Sequence, residues 1–162
     1  MTNSTVVGGN YPQNATPDWG GASEAPPPVR QDVRPATVLV VDDDVDMTNL
    51  ITRYLETVGV RVIAASSGRQ CLNLAAQHKI DLLLTDLSLP EMDGFAICRA
   101  VKALPDLAEV PIVIMSVRDD EATRREGSQV GARDFLAKPI FRRQLLALLD
   151  KHLARARAYP PR

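Results

Sequence analysis

Five short apolar runs recur along this chain, and each is followed by a stretch with helical spacing. Two of them, Val38-Leu39-Val40-Val41 and Leu82-Leu83-Leu84, are apolar throughout instead of alternating with polar residues. Strands of this kind are buried on both faces, which is typical of a parallel sheet with helices on each side. The pattern predicts an α/β sandwich with strands over residues 37–41, 60–65, 81–85, 111–115 and 134–137.

Helices are predicted between and after these strands. In the first, Leu50, Tyr54 and Val58 recur at helical spacing, and Gly59 supplies a stop signal. Ser67 is a suitable N-cap for the second helix. The other three are expected over residues 95–104, 119–130 and 141–156, the first of these ending before Pro105.

Residues 1–35 differ sharply in composition from the rest of the chain. They hold six of the twelve prolines and four of the nine glycines. Such a segment buries too little apolar surface to offset the entropy lost on ordering. We expect a disordered extension over residues 1–35, one domain over 36–156 and a short tail over 157–162. A partner-docking arm, with Tyr11 and Trp19 as its contacts, is the alternative interpretation of the extension.

Charge and composition argue against several classes of function. Nineteen Lys and Arg against twenty Asp and Glu give a net charge of −1, without the positive excess of a dedicated nucleic-acid binder. Cys71, Cys98, His78 and His152 lack the spacing of a disulfide framework or a zinc site. Neither a membrane-spanning apolar stretch nor a secretory signal pattern is visible, so we expect a cytoplasmic protein without membrane contact.

Polar side chains follow four of the predicted strands. Asp42 and Asp43 come after the first strand, Asp86 after the third, and Ser116 and Lys138 after the fourth and fifth. Because the carboxyl ends of parallel strands meet at one edge of the sheet, we expect these side chains to line one pocket. A nucleotide-binding domain would have a glycine-rich loop after its first strand, and this chain has carboxylates there instead.

Three neighbouring carboxylates need a compensating charge, because like charges raise each other's pKa. An all-oxygen donor set suits Mg²⁺, and a lysine and a hydroxyl beside it could bind phosphoryl oxygens. An aspartate next to Mg²⁺ can itself attack phosphorus, which indicates phosphoryl transfer onto Asp86. Taken singly, each residue has a plainer explanation, and the acidic run at residues 42–46 could simply cap the first helix.

Four motifs at the strand ends resemble the receiver domain of two-component response regulators. They are Val38-Leu39-Val40-Val41-Asp42-Asp43-Asp44, Leu84-Thr85-Asp86-Leu87-Ser88-Leu89-Pro90-Glu91-Met92-Asp93-Gly94, Pro111-Ile112-Val113-Ile114-Met115-Ser116 and Gly131-Ala132-Arg133-Asp134-Phe135-Leu136-Ala137-Lys138-Pro139. The resemblance covers about residues 37–155. It implies a doubly wound (βα)5 flavodoxin-like fold, with a parallel five-stranded sheet of order 2-1-3-4-5.

The resemblance also implies roles for the acidic residues. Asp86 matches the aspartate that accepts a phosphoryl group from a histidine kinase or a histidine phosphotransfer protein. Asp43 matches a direct Mg²⁺ ligand, Asp42 a ligand acting through water, and Asp86 itself also belongs to the metal site. The backbone carbonyl of Ser88 completes the expected set, with Mn²⁺ as an alternative ion. Such a domain is a signalling module and not a classical enzyme.

The remaining implied roles concern the response to phosphorylation. Ser116 and Lys138 match the residues that bind the phosphoryl oxygens, and the Lys138–Pro139 bond is expected to be cis. Phe135 matches an aromatic switch residue that moves into the space that Ser116 vacates. The expected outcome is a changed surface formed by the fourth helix, fifth strand and fifth helix, which regulates a downstream partner.

Three positions depart from the family pattern. Val117 stands where the family usually has Ala or Gly, so we expect it to narrow access to Asp86 for small phosphodonors. Phe135 replaces a tyrosine, so the switch has to work by ring packing alone. The fifth helix has leucines where some transcriptional receivers use charged dimer contacts, and we favour core packing over a special interface: Leu145, Leu146, Leu148 and Leu149.

Two other functions are compatible with such a fold. A phosphorylation-independent interaction module is the first, although such receivers commonly lose the acidic pocket. A Mg²⁺-dependent phosphohydrolase of the haloacid-dehalogenase type would need an aspartate two residues after the nucleophile, and position 88 is serine. We expect a monomer or a phosphorylation-dependent homodimer, as either a stand-alone receiver or part of a longer regulator. The basic residues after position 140 suit a helix C-terminus better than DNA binding.

Overall fold

Strands and helices alternate along the chain, as the sequence pattern predicts. The computed structural model describes residues 34–153, so the predicted tail over 157–162 and nearly all of the predicted extension lie outside the described residues. The strands are β1 (Thr37–Val41), β2 (Arg61–Ala65), β3 (Leu82–Asp86), β4 (Ile112–Ser116) and β5 (Asp134–Ala137). The helices are α1 (Val45–Glu56), α2 (Gly68–Gln77), α3 (Gly94–Lys102), α4 (Glu121–Gln129) and α5 (Arg142–Leu153), with a 3-10 turn at Pro105–Leu107.

The five strands form one parallel sheet with the order β2-β1-β3-β4-β5, which confirms the predicted topology. Successive side chains of a strand point to opposite faces, so each strand contributes to two separate cores. In β1, Val38 and Val40 pack with residues of α1 and α5, whereas Leu39 and Val41 pack with residues of α2 and α3. The sheet is therefore covered on both faces, as the uninterrupted apolar runs indicate.

The ends of the helices follow local signals. Ser67 accepts a hydrogen bond from the Gln70 backbone N–H and caps α2, as predicted. Helix α1 ends at Glu56, and Gly59 adopts a left-handed conformation with a φ of 73°. Helix α4 begins later than predicted because Asp120 is its N-cap.

The predicted fifth helix extends to residue 156, and residues 154–156 lie outside the described residues. The leucines of α5 face the core, which confirms the packing interpretation: Leu145, Leu146, Leu148, Leu149 and Leu153 are all buried.

The two cysteines are buried and free on neighbouring helices. Cys71 lies in α2 and Cys98 in α3. Burial raises the pKa of each thiol to about 12, which keeps both thiols protonated and chemically inert. Neither residue takes part in the chemistry described below. Between residues 34 and 153, the longest helices are too short and too polar to cross a membrane.

Candidate functional site

Three carboxylates meet at the carboxyl edge of the sheet. Asp42 and Asp43 directly follow β1, and Asp86 is the last residue of the adjacent β3, where Val41 and Thr85 are register partners. One oxygen from each of the three carboxylates lies within 4.8 Å of the others. Asp42 and Asp86 are buried, whereas Asp43 is exposed. The predicted acidic cluster therefore forms, with one side open to solvent.

The acidic run after β1 has two separate functions. Asp44 is the N-cap of α1 and accepts hydrogen bonds from the backbone N–H groups of Asp46 and Met47. The Asp44 backbone N–H donates to Oδ1 of Asp42 at 2.9 Å, which fixes the orientation of that carboxylate. Helix capping thus accounts for Asp44, while Asp42 and Asp43 remain available to the pocket.

Lys138 enters the pocket from the end of β5. Its Nζ lies 2.9 Å from Oδ2 of Asp42 and 3.1 Å from Oδ1 of Asp86, so one ammonium group joins two buried carboxylates. The Lys138 backbone N–H donates to the Ser116 carbonyl at 2.9 Å, which aligns the ends of β4 and β5. The bond between Lys138 and Pro139 is cis, as expected.

Burial and charge act in opposite directions on the ionisable groups of the pocket. Burial raises the pKa of Asp86, and the hydrogen bond and positive charge of Lys138 oppose that rise. Burial alone would lower the pKa of Lys138, but its hydrogen bonds to Asp42 and Asp86 raise it. The lysine therefore stays protonated, and its single charge faces three carboxyl groups.

The position of Asp86 depends on the lack of a side chain at Gly94, the first residue of α3. A Cβ at this position would lie 2.6 Å from the Asp86 carbonyl oxygen and 2.9 Å from the Leu87 Cα. The Gly94 backbone N–H also donates to the Leu87 carbonyl at 2.9 Å. In the sequence, Gly94 is visible only as the last residue of a motif, because a single sequence does not show which glycine permits a close backbone approach.

Of the other predicted site residues, Ser116 and Ser88 belong to the strand ends and loops at this edge of the sheet, whereas Phe135 does not. Ser116 is buried at the end of β4, and its Oγ accepts a hydrogen bond from the Arg118 backbone N–H at 2.9 Å. Ser88 is exposed, two residues beyond Asp86. Phe135 lies in β5, three residues before Lys138, and is the register partner of Ile114 in β4. It is outside the acidic pocket.

An oxygen-only donor set with a net negative charge fits a hard divalent cation. The carboxyl oxygens of Asp42, Asp43 and Asp86 are close enough to share one ion, and Asp43 opens the cluster to water ligands. Among residues 34–153, this is the one group of at least three His, Cys, Asp or Glu side chains with such spacing. Mg²⁺ keeps several waters and binds through few carboxylates, which suits this arrangement.

Sequence comparison finds relatives among bacterial regulators. The sequence model of the response regulator receiver domain matches residues 38–150. The transcriptional regulatory protein GltR of Pseudomonas aeruginosa is 36% identical over 120 residues, which are 74% of this chain and 50% of GltR. The transcriptional regulatory protein CpxR of Escherichia coli is 37% identical over 119 residues, again 74% and 50% of the two chains. The chain therefore spans about half the length of these relatives.

Comparison with solved structures also finds response regulators and receiver domains. The chemotaxis protein CheY4 of Vibrio cholerae superposes with a TM-score of 0.72 at 30% identity, covering 74% of this chain and all of CheY4. The receiver domain of the sensor histidine kinase PA1611 of Pseudomonas aeruginosa has a TM-score of 0.69 at 28% identity, covering 75% of this chain and 99% of that domain. That structure holds a magnesium ion coordinated in its active-site cleft.

A side chain at position 94 should disturb the fold at Asp86. We expect Gly94→Ala to lower the free energy of unfolding by about 1–3 kcal/mol, because the added methyl meets backbone atoms. Gly68→Ala is the matched control, since Gly68 is the first residue of α2 and the three atoms nearest to a Cβ there belong to the Met92 side chain and not to backbone. Urea unfolding of both variants gives the comparison, and equal stabilities would contradict the proposed role of Gly94.

Mg²⁺ should stabilise the folded protein through the acidic cluster. We expect the free energy of unfolding, measured by urea denaturation, to rise with Mg²⁺ concentration. The gain should be about 2.7 kcal/mol when Mg²⁺ is at a hundredfold excess over its dissociation constant. Asp43→Asn should lose most of this gain, while Asp46→Asn, an exposed acid in the first turn of α1, should keep it. An equal gain for Asp43→Asn and wild type would show that the ion binds elsewhere.

Proposed function

This chain belongs to the response regulator receiver family, and from that premise we propose that it accepts a phosphoryl group on Asp86. The donor is a phosphohistidine of a sensor histidine kinase or of a histidine phosphotransfer protein. The observation that supports this function is the cluster of three carboxylates, two of which are joined by Lys138. Such an acidic triad is typical of the magnesium site of receiver domains, which are signalling domains and not classical enzymes.

The reaction requires a carboxylate nucleophile and a stabilised phosphoryl group. An Oδ atom of Asp86 forms the new bond to phosphorus while the bond from phosphorus to the donor imidazole nitrogen breaks, and the imidazole leaves with the electron pair. Asp42, Asp43, Asp86 and the carbonyl of Ser88 would hold Mg²⁺ or Mn²⁺, which neutralises phosphoryl oxygens when bound. The burial of Asp86 limits competition from water.

Lys138 is positioned to respond to the new group. Its Nζ already contacts Oδ1 of Asp86 at 3.1 Å, so a short movement of this ammonium reaches a phosphoryl oxygen on the same carboxylate. The hydroxyl of Ser116 would provide a second hydrogen bond on leaving the Arg118 N–H. Phosphorylation thus exchanges contacts within the resting protein for contacts with the phosphoryl group.

The response would appear on the surface formed by α4, β5 and α5. Ser116 and Phe135 connect the pocket with this surface, because Ser116 ends β4 and Phe135 lies in the neighbouring β5. We propose that phosphorylation shifts Phe135 between two packed positions and so changes the binding of a downstream protein. The chain would act in the cytoplasm, as a monomer or as a phosphorylation-dependent homodimer, without contacting nucleic acid or membrane directly.

Intact-mass spectrometry tests the phosphorylation. We expect one phosphoryl adduct after incubation with acetyl phosphate and Mg²⁺, because the pocket is complete. Asp86→Asn should abolish the adduct, as should EDTA, and hydroxylamine should remove it, as it does for an acyl phosphate. Asp44→Asn is the matched control, since Asp44 caps α1 from the same acidic run.

An adduct that survives in Asp86→Asn would contradict the assignment of the acceptor. If neither the wild type nor Val117→Ala forms any adduct, the chain is a phosphorylation-independent interaction module instead.

Val117 should slow small phosphodonors. It directly follows Ser116 and is 75% exposed, so it lies at the surface next to that residue and not in the core. We expect acetyl phosphate to phosphorylate Val117→Ala up to roughly fivefold faster than wild type. Such an increase corresponds to lowering the activation free energy by under about 1 kcal/mol through relief of steric hindrance. Val45→Ala, which removes a similarly exposed valine from α1, serves as the control. An unchanged rate for Val117→Ala would show that its bulk does not limit access.

A further inference from the structure

The ring of Phe135 is packed between α4 and the sheet. A Cβ at position 127 would overlap Cζ of this ring and would lie 3.3 Å from Cδ1 of Ile114 in β4. Gly127 is a buried residue of α4, so the helix backbone itself forms one wall of the ring's site. The ring and the Ile114 methyl group share the small space that the absent side chain leaves.

Arg124 lies three residues before Gly127 in α4 and covers the same ring. Its guanidinium carbon is 5.5 Å from the centroid of Phe135, within the range of a cation–π contact. Both Nε and one terminal nitrogen of Arg124 contact the Oδ1 atom of Asp119, which fixes the guanidinium. Arg124 thus has two partners, an aromatic ring in β5 and a carboxylate before α4.

Asp119 belongs to the segment between Ser116 and α4. In this segment the Arg118 backbone N–H donates to Oγ of Ser116, next to the acidic pocket. A short series of contacts therefore extends from Ser116 through Arg118, Asp119 and Arg124 to Phe135. Arg118 and Asp119 are neighbours in the chain, so the residue whose N–H binds Ser116 adjoins the residue that binds Arg124. A displacement of the Ser116 hydroxyl therefore acts on the same segment that holds Arg124.

We propose that Arg124 is a positioning residue that links the ring of Phe135 to the segment after β4. While Asp119 holds the guanidinium, the ring is retained against Gly127. When Ser116 leaves the Arg118 N–H to bind a phosphoryl oxygen, the segment shifts and Arg124 passes the change to the ring. The resting role of Arg124 stands on the contacts alone, and only the second step rests on the proposed phosphorylation of Asp86.

Arg125 provides a matched control on the same helix. It pairs with Glu121 at 2.7 Å, one helical turn away, and is more exposed than Arg124. Within residues 34–153, Arg125 makes no cation–π contact. Loss of either arginine removes one charge and one ion pair from α4, so a difference between the two variants reports on the ring of Phe135.

The methyl resonance of Ile114 reports the position of the ring in the resting protein. Ring currents from Phe135 shift the NMR signal of the isotope-labelled Ile114 δ1 methyl group. The signal is assigned by its loss in Ile114→Val. Its position in Phe135→Leu gives the chemical shift in the absence of the ring. We expect Arg124→Gln and Asp119→Asn to move this signal toward the ring-free value. The ratio of packed to unpacked ring should fall roughly two- to fivefold, the size expected for a half-exposed cation–π contact.

Arg125→Gln should leave the Ile114 signal at its wild-type position, and Arg124→Lys should have an intermediate effect because it keeps the charge but loses the planar stack. An Ile114 signal that does not move in Arg124→Gln would overturn the proposal. So would equal movements in Arg124→Gln and Arg125→Gln, which would indicate a general effect of charge on α4.

A titration with beryllofluoride and Mg²⁺, which mimics the phosphoryl group, tests the second step. We expect Arg124→Gln to change at least twofold the amount of beryllofluoride that half-shifts the Ile114 signal, while Arg125→Gln matches wild type. A wild-type midpoint in Arg124→Gln would overturn the link from pocket to ring. If beryllofluoride and Mg²⁺ leave the amide signals around Asp86 unchanged in the wild type and in every variant, the proposed function is contradicted instead. The Ile114 signals without beryllofluoride would still decide the resting role of Arg124.

Discussion

The contact of Lys138 with Asp42 and Asp86 is the interaction on which the pocket depends. These groups follow β5, β1 and β3, so one ammonium group joins strands that are distant in sequence. Without it, two buried carboxylates would face each other with no positive charge, at a large cost in free energy. The lysine therefore compensates the acids in the resting protein, and it would remain beside Asp86 on binding of a divalent ion and on the proposed phosphorylation.

Two glycines set how closely the helices approach this chemistry. Gly94 lets α3 begin against the backbone of Asp86, and Gly127 lets α4 lie directly on the ring of Phe135. At both positions any side chain would occupy space already filled by another part of the chain. Asp86, the proposed acceptor, and Phe135, the proposed switch residue, are thus each supported by a backbone surface, which holds position more rigidly than a flexible side chain.

The helices differ in how firmly they are attached to the sheet. Helix α5 buries five leucines, whereas α4 buries only Thr123 and Gly127 of its nine residues. An element with so little apolar burial is easier to shift than one with a leucine core, because less hydrophobic free energy is lost when it moves. The ring of Phe135, against which Gly127 packs, is therefore one of the contacts that place this helix. Its weak attachment is compatible with the proposed change of the surface formed by α4, β5 and α5.

The sequence predicts the fold class and the acidic cluster, and the family resemblance predicts the strand order. Continuous apolar runs specify buried parallel strands, and residues that end such strands meet at one edge whatever the details of packing. The structure was needed to show that Asp44, next to these acids, caps α1 instead of joining them, and that Arg124 and Gly127 enclose Phe135. Whether a carboxylate caps a helix or enters a pocket depends on how its side chain is oriented, and what encloses a ring depends on how a helix packs on the sheet. Periodicity describes which face a residue occupies but not which atom its side chain touches.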